Sequence, residues 1–225
     1  MSLTAKNITK KFFRKTSSAN FFYALKETNL ELEKGKLTVV TGRSGSGKTT
    51  LLTILAGLLI PSEGEALIDD KSMYSLSDKE LSKLRNERIG FIPQDSAAIF
   101  SLNVLENVLL PVMMYRKVTE KDRKYALSLL ETFGIASLSE AMPSELSGGE
   151  LRRMSIARAL VNKPEYVFAD EPTDDLDDEN TKAVLEFLQK TAHSGNSVLL
   201  VTHEASAADY ADKIFRMDAG VLTLL

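Results

Sequence analysis

Seven of the ten residues from Asp170 to Glu179 carry carboxylates: Asp170, Glu171, Asp174, Asp175, Asp177, Asp178 and Glu179. Acids at this density can hold a metal, polarise a water, cap a helix or face solvent, and their surroundings decide which. Asp170 ends the apolar run "YVFAD", which reads as a strand, and Glu171 follows directly. In α/β sheets, ligands bind beyond the carboxyl ends of the strands. An acid at Asp170 suits Mg²⁺, directly or through water, and one at Glu171 suits the polarising of an attacking water. Two adjacent carboxylates repel, so a metal ion and a nearby cation are expected to set their environments apart.

The cation is found far upstream. "VVTGRSGSGKTT" contains Gly42-x-x-x-x-Gly47-Lys48-Thr49 between an expected strand and an expected helix. The loop running through Arg43, Ser44, Gly45 and Ser46 can turn its N–H groups inward, and the helix start at Thr49 and Thr50 adds partial positive charge for phosphates. Lys48 can reach the β- and γ-phosphates, and the Thr49 hydroxyl can ligate Mg²⁺. This loop alone indicates a nucleotide without indicating what is done with it. The other acids fit a second metal poorly. Asp175, Asp177, Glu179 and Glu186 have the 1, 3, 5 and 12 spacing of a calcium loop, but Asn180 stands where the sharp turn needs glycine. Asp178 and Glu179 are better read as charges favouring the start of an amphipathic helix carrying Val184, Phe187 and Leu188.

Elements of the right kind surround these residues. Alternating segments at 3–13 and 24–35 read as half-buried strands, with Leu30 and Leu32 on one face. A helix is expected from Thr49 to Leu58, then strands at 65–69 and 89–92. Helical patterns follow at 103–115, 119–133 and 148–161; strands at 166–170, 197–202 and 213–217 then alternate with a helix near 178–192 and a shorter one. The nearly all-apolar strands 166–170 and 197–202 suit a mostly parallel sheet covered on both faces. The expectation is a single α/β domain over 1–225, with a helical subdomain at about 95–162 inserted into it.

The 225 residues suffice for a substantial core. A net charge of -3 offers no overall basic field, so composition gives no support for nucleic-acid binding. Without cysteine there are no disulfides or thiolate metal sites. The longest apolar run, "LLTILAGLLI", has half the ~20 residues that a membrane span needs. The N-terminus lacks the apolar stretch of a secretory signal. The chain is expected to be soluble, with any membrane role supplied through a partner.

"GRSGSGKTT", "PQD", "LSGGE", "VFADEPTDDLD" and "VTH" occur in an order and spacing that resemble those of ATP-binding cassette nucleotide-binding domains, over nearly the whole chain. The resemblance implies a P-loop NTPase core with an N-terminal antiparallel β subdomain, ATP and Mg²⁺ as ligands, and a head-to-tail homodimer that forms on ATP. It implies that Ser147, Gly148, Gly149 and Glu150 form the signature that meets the opposite subunit's γ-phosphate. The residues agree, since "SGGE" reads as a capping box at a helix N-terminus, which is a good anion site. Gln94 resembles the glutamine that reaches Mg²⁺, and His203 the histidine that contacts the γ-phosphate and the catalytic carboxylate. Phe12 stands where the family stacks an aromatic on adenine, with Phe13 and Tyr23 as alternatives. Asp177 resembles the last aspartate of the dimer-contacting loop, in which Asp174 and Asp175 depart from the smaller or neutral residues of relatives.

"ALKETNLELEKG", "LRNERIGFIPQ" and "LNVLENVLLPVMMY" resemble the lipoprotein-releasing, macrolide-export and antimicrobial-peptide-resistance group, from which "PQDSAAIF" departs. That group implies a subunit powering an integral membrane permease, peripheral on the cytoplasmic side. An ATP-dependent regulator or scaffold of a membrane complex, as in cell division, is the alternative. Chromosome-maintenance ATPases carry long coiled coils between phosphate loop and signature, whereas about a hundred residues without sustained heptads intervene here. A tandem-cassette translation factor would need a second set of motifs.

Overall fold

The computed structural model describes residues 2–13, 21–174 and 176–225, so Asp175 lies outside the described residues. Alternation of apolar and polar residues produces the first sheet. Strands β1 (Leu3–Phe13) and β2 (Phe21–Leu32) pair antiparallel, and β1 also pairs antiparallel with β4 (Glu63–Ile68). A short β5 (Lys71–Ser72) completes the order β2-β1-β4-β5. Leu3, Ile8, Leu25, Leu30 and Leu32 turn inward from it.

The second sheet has the order β10-β9-β3-β8-β7-β6. Its strands are β3 (Leu37–Thr41), β6 (Ile89–Ile92), β7 (Tyr166–Asp170), β8 (Ser197–Thr202), β9 (Lys213–Asp218) and β10 (Val221–Leu224). All neighbours are parallel except the β9–β10 edge pair. Every residue of β7 and β8 is buried, as strands covered on both faces require. The two faces feed different cores. Val167, Ala169, Val198 and Leu200 pack with α3 (Val104–Met113), α4 (Glu120–Thr132), α5 (Gly148–Leu160) and α6 (Asp178–His193). Tyr166, Phe168, Leu199 and Val201 pack with α1 (Lys48–Leu55) and the antiparallel sheet.

Several elements depart from the expectation. Helix α2 (Asp78–Arg88) occupies a stretch with no apolar periodicity, because only Leu81 of its eleven residues is buried. β10 forms after the Ala219–Gly220 turn, both residues of which have positive φ. α1 ends at Leu55, before the positive φ of Gly57, rather than at Leu58. β2 begins at Phe21, because Phe21, Phe22 and Tyr23 pair across to Phe13, Phe12 and Lys11. The short helix after β8 is a 3₁₀ segment, Ala205–Tyr210.

Candidate functional site

Parallel register does the first part of assembling the site. Thr41 of β3 lies opposite Thr202 of β8, Val201 opposite Asp170 of β7, and Ala169 opposite Ile92 of β6. The residues next in sequence, Gly42, His203, Glu171 and the Pro93–Gln94 pair, therefore leave the same sheet edge side by side. Four segments far apart in sequence share one edge because hydrogen-bonded parallel strands run in step.

The phosphate loop spans Gly42 to Gly47 between β3 and α1. Gly47 has a φ of 112°, and a Cβ there would lie 2.3 Å from the Ala24 carbonyl oxygen. A Cβ on Gly42 would lie 2.4 Å from the Met217 carbonyl oxygen. Both positions exclude any side chain, so the loop stays tight against β2 and β9. Lys48 is buried, and its Nζ donates to the carbonyls of Gly42 at 2.8 Å and Arg43 at 3.3 Å. The same Nζ stands 3.3 Å from Glu171 Oε1.

Glu171 is held from several sides. Its φ is 44°, a left-handed backbone that costs a non-glycine residue on the order of 1 kcal/mol and persists only when surroundings fix it. Its N–H donates to the Val201 carbonyl at 2.9 Å. Oε2 accepts from His203 N–H at 3.1 Å and lies 3.0 Å from His203 Nδ1. An ionised carboxylate only accepts, so Nδ1 carries the proton in this pairing. Asp170 is 3% exposed and accepts from the Thr49 hydroxyl at 3.1 Å. Burial pushes its carboxyl above the ordinary aspartate range; the Thr49 bond and the charges of Lys48 and Arg152 oppose that push, while Glu171 adds to it.

Gln94 donates from Nε2 to Asp174 Oδ2 at 3.1 Å, which leaves Oε1 as its unused polar end. Thr49 Oγ1, Asp170 carboxylate oxygen and Gln94 Oε1 are hard oxygen donors of the kind Mg²⁺ takes, so the residues present fit that ion. A cleft of about 250 Å³ opens over the loop, lined by Ser44, Gly45, Gly47, Lys48, Thr49, Thr50, Gln94 and Glu171 below and by Phe12, Phe22 and Ala24 above. Phe12 and Phe22 are cross-strand partners with ring centroids 5.8 Å apart. Phe13 is instead 84% exposed, and Tyr23 packs edge-on against Phe21.

Ser147, Gly148 and Gly149 do not line this cleft. Ser147 caps α5 in a reciprocal box: its hydroxyl accepts from Glu150 N–H at 3.3 Å, and Glu150 Oε2 accepts from Ser147 N–H at 2.7 Å. Those bonds hold the Glu150 carboxyl below the usual range. A Cβ on Gly148 would meet nothing within 4 Å, and one on Gly149 only Leu176 at 3.3 Å. Among the described residues nothing needs glycine at 148, so this surface is open to approach from outside. Asp177 is itself the N-cap of α6, accepting from Asn180 N–H at 2.8 Å; Asp178 and Glu179 fill the first turn.

Three residues join the site in ways the sequence reading did not give. Phe22 is one, visible only through its pairing with Phe12. Asp174 is another: its carboxylate, Glu171 and His203 place ligand-type atoms within 4.8 Å of one another. Arg152 is the third. It resembles any helical arginine in sequence, yet is 3% exposed beneath Asp170 and Glu171.

Residues 25–174 match the family profile described as ABC transporter. The chain is 38% identical over 217 residues to the lipoprotein-releasing system ATP-binding protein LolD of Buchnera aphidicola, covering 96% of this chain and 93% of the relative. It is 41% identical over 197 residues, 88% of each chain, to an uncharacterised ABC transporter ATP-binding protein of Methanocaldococcus jannaschii. Among solved structures, a dimeric ATP-binding cassette in a post-hydrolysis state bound to ADP and Pi superposes with a TM-score of 0.90 at 35% identity, covering 99% of this chain and 98% of that one. A strand-end cluster of phosphate loop, paired acids and histidine, and a profile match across two thirds of the sequence, lead to one conclusion: the chain belongs to the ABC transporter family, as one of its ATP-binding cassettes.

Proposed function

We infer that the chain is a Mg²⁺-dependent ATPase subunit that powers a separate membrane permease of the lipoprotein-handling type. The observation that carries this reading is the convergence of Lys48, Thr49, Asp170, Glu171 and His203 at one sheet edge. Phe12 and Phe22 offer a stacking surface for adenine, and the loop N–H groups and Lys48 cradle the phosphates. Phosphate oxygens compete for the Lys48 ammonium, which frees Glu171 Oε1 to accept a proton from water. The water oxygen then bonds to the γ-phosphorus as the bond to the β-phosphate oxygen breaks, releasing ADP and phosphate. Thr49, Asp170 and Gln94 would hold Mg²⁺, which when bound offsets charge on the β- and γ-oxygens. His203 keeps Glu171 oriented through Oε2.

The open glycine surface at Gly148 suits the γ-phosphate of a second copy, so the working unit is a head-to-tail pair with ATP at the interface. Among the described residues no helix is long and apolar enough to cross a membrane. A permease partner therefore needs a docking surface. Exposed Leu58, Ile99, Phe100, Met113, Met114 and Tyr115 surround or adjoin a groove of about 460 Å³ between α2, α3 and β6 that supplies one. On this reading the chain works from the cytoplasmic side of the membrane, held there by its permease. Relatives that are releasing-system ATP-binding proteins support transport over the scaffold reading.

The test is phosphate release by the purified chain with Mg²⁺ and ATP, alongside Lys48→Ala. Loss of a charge-assisted contact of about 1.5–3 kcal/mol weakens ATP binding roughly 10- to 150-fold. No phosphate release by the parent, or unchanged ATP affinity in the variant, overturns the reading.

A further inference from the structure

Arg152 lies five residues into the helix that Ser147 caps, and its guanidinium is enclosed by main chain. Nε donates to the Pro172 carbonyl at 2.9 Å. Nη1 donates to the carbonyls of Pro93 and, at 2.7 Å, Gln94. Nη2 donates to those of Asp170, at 3.0 Å, and Glu171. Five carbonyls match the five N–H groups a guanidinium can offer. They come from the two segments that present Gln94, Asp170 and Glu171 to the nucleotide, and the arginine itself comes from a third. Glu171 needs such support, because its backbone stands at a φ of 44°.

We propose that Arg152 is a positioning residue that couples the two ATP sites of the dimer, by fixing its own chain's Gln94 and Glu171 to the helix whose Ser147 completes the partner's site. The inference rests on the proposed ATPase dimer. An α-helix is stiff over the ~7.5 Å that separates positions 147 and 152 along its axis. A shift of Ser147 and the two glycines on meeting a γ-phosphate is therefore felt at the guanidinium. The guanidinium passes it to the peptide groups of Glu171 and Gln94, so a site engaged from across the interface reports to the hydrolytic centre of the other. Fork geometry carries this and charge alone does not, since a lysine has three donors at one point and cannot bridge three segments.

The test compares the full-length parent with Arg152→Met, Arg152→Lys and Arg152→Gln. Steady-state hydrolysis is measured against ATP concentration at fixed protein concentration, with ATP binding to the monomer and Tm measured separately. Two coupled sites give the parent a Hill coefficient above 1 and up to about 2. In Met and Lys variants the coefficient falls to about 1 and kcat drops about 10- to 100-fold, as for a misplaced catalytic group. Monomer affinity for ATP stays within about 3-fold, because Lys48 and the loop are untouched. Gln retains a donor in the buried position and serves if Met fails to fold. A parent Hill coefficient of 1, a kcat loss with the coefficient unchanged, rescue by lysine, or failure of all three variants to fold overturns the proposal. A parent that releases no phosphate at all overturns the ATPase reading instead.

Discussion

Asp170 sits at 3% exposure with Glu171 beside it, and both circumstances penalise its charged form. Its carboxyl is raised above the ordinary value of 3.8 in the folded chain. A raised carboxyl favours the folded state while protonated and disfavours it once ionised. The penalty is absent below the unfolded value, grows as pH rises through the raised folded value, and is complete above it. Asp170→Asn keeps the Thr49 hydrogen bond and removes the charge. The nucleotide-free variant is expected to melt about 2–4 °C higher than the parent at neutral pH, the change that about 1 kcal/mol makes in a domain of this size. That advantage shrinks to nothing in acid, while phosphate release is lost. Melting curves from about pH 3, below the ordinary aspartate value, up to neutral pH decide it. Lys48, Asp170 and Glu171 were legible in sequence because their chemistry demands those types next to strand ends. Arg152 was not, since an arginine among helical residues reads as solvated unless the carbonyls enclosing it are known. Phe22 and Asp174 likewise enter the site through partners, Phe12 and Gln94, that sequence separation hides.

Caps decide where the helices begin, and in the proposed pair one cap has two duties. Ser77–Glu80, Asn103–Glu106, Thr119–Asp122 and Ser147–Glu150 all form reciprocal boxes. Losing such a cap costs about 1 kcal/mol. Ser147→Ala is therefore expected to lower stability by about 1 kcal/mol, and Ser147→Asp by a similar amount, because its carboxylate would meet Glu150 Oε2, to which the Ser147 hydroxyl donates at 2.8 Å. Both should lose ATP-driven pairing, the first for want of a hydroxyl and the second by repelling the γ-phosphate. Denaturant titration reads the first quantity and light scattering with ATP the second. Pairing retained by Ser147→Asp would remove the serine from the interface. Capping also explains what the element-level reading missed. "SDKE" at 77–80 announced α2, but that helix buries only Leu81 and shows no apolar stripe. Strands β7 and β8 were legible because two-sided burial demands continuous apolar runs. The four-residue β10 was not, because an edge strand with half of its pairing supplied by β9 needs no pattern of its own.

At the scale of the whole molecule, the proposed pair has ATP as part of its interface, so slowing hydrolysis should trap it. Glu171→Gln removes the proton acceptor and leaves Lys48 and Ser147 intact; it is expected to accumulate as a dimer with ATP. Each chain carries a net charge of -3, and pairing brings two such chains and two triphosphates together. Asp174 adds to this at close range, for its carboxylate is drawn to Gln94 and stands near Glu171 and His203. A like-charge pair at about 4 Å costs roughly 1 kcal/mol in water and several times more where water is partly excluded. Screening falls to a length of about 10 Å at 0.1 M salt, short enough to relieve repulsion across the interface but not the buried contacts of Lys48. The Glu171→Gln dimer is therefore expected to tighten as salt rises from about 50 to 300 mM. Adding Asp174→Asn keeps an acceptor for the Gln94 amide, removes one charge per chain, and should tighten the dimer about 5-fold or more at low salt while flattening its salt response. Dissociation constants by light scattering across that range give the answer. A dimer that weakens with salt would show instead that attraction across the interface outweighs this repulsion, and an unchanged constant in the double variant would leave Asp174 to its bond with Gln94 alone.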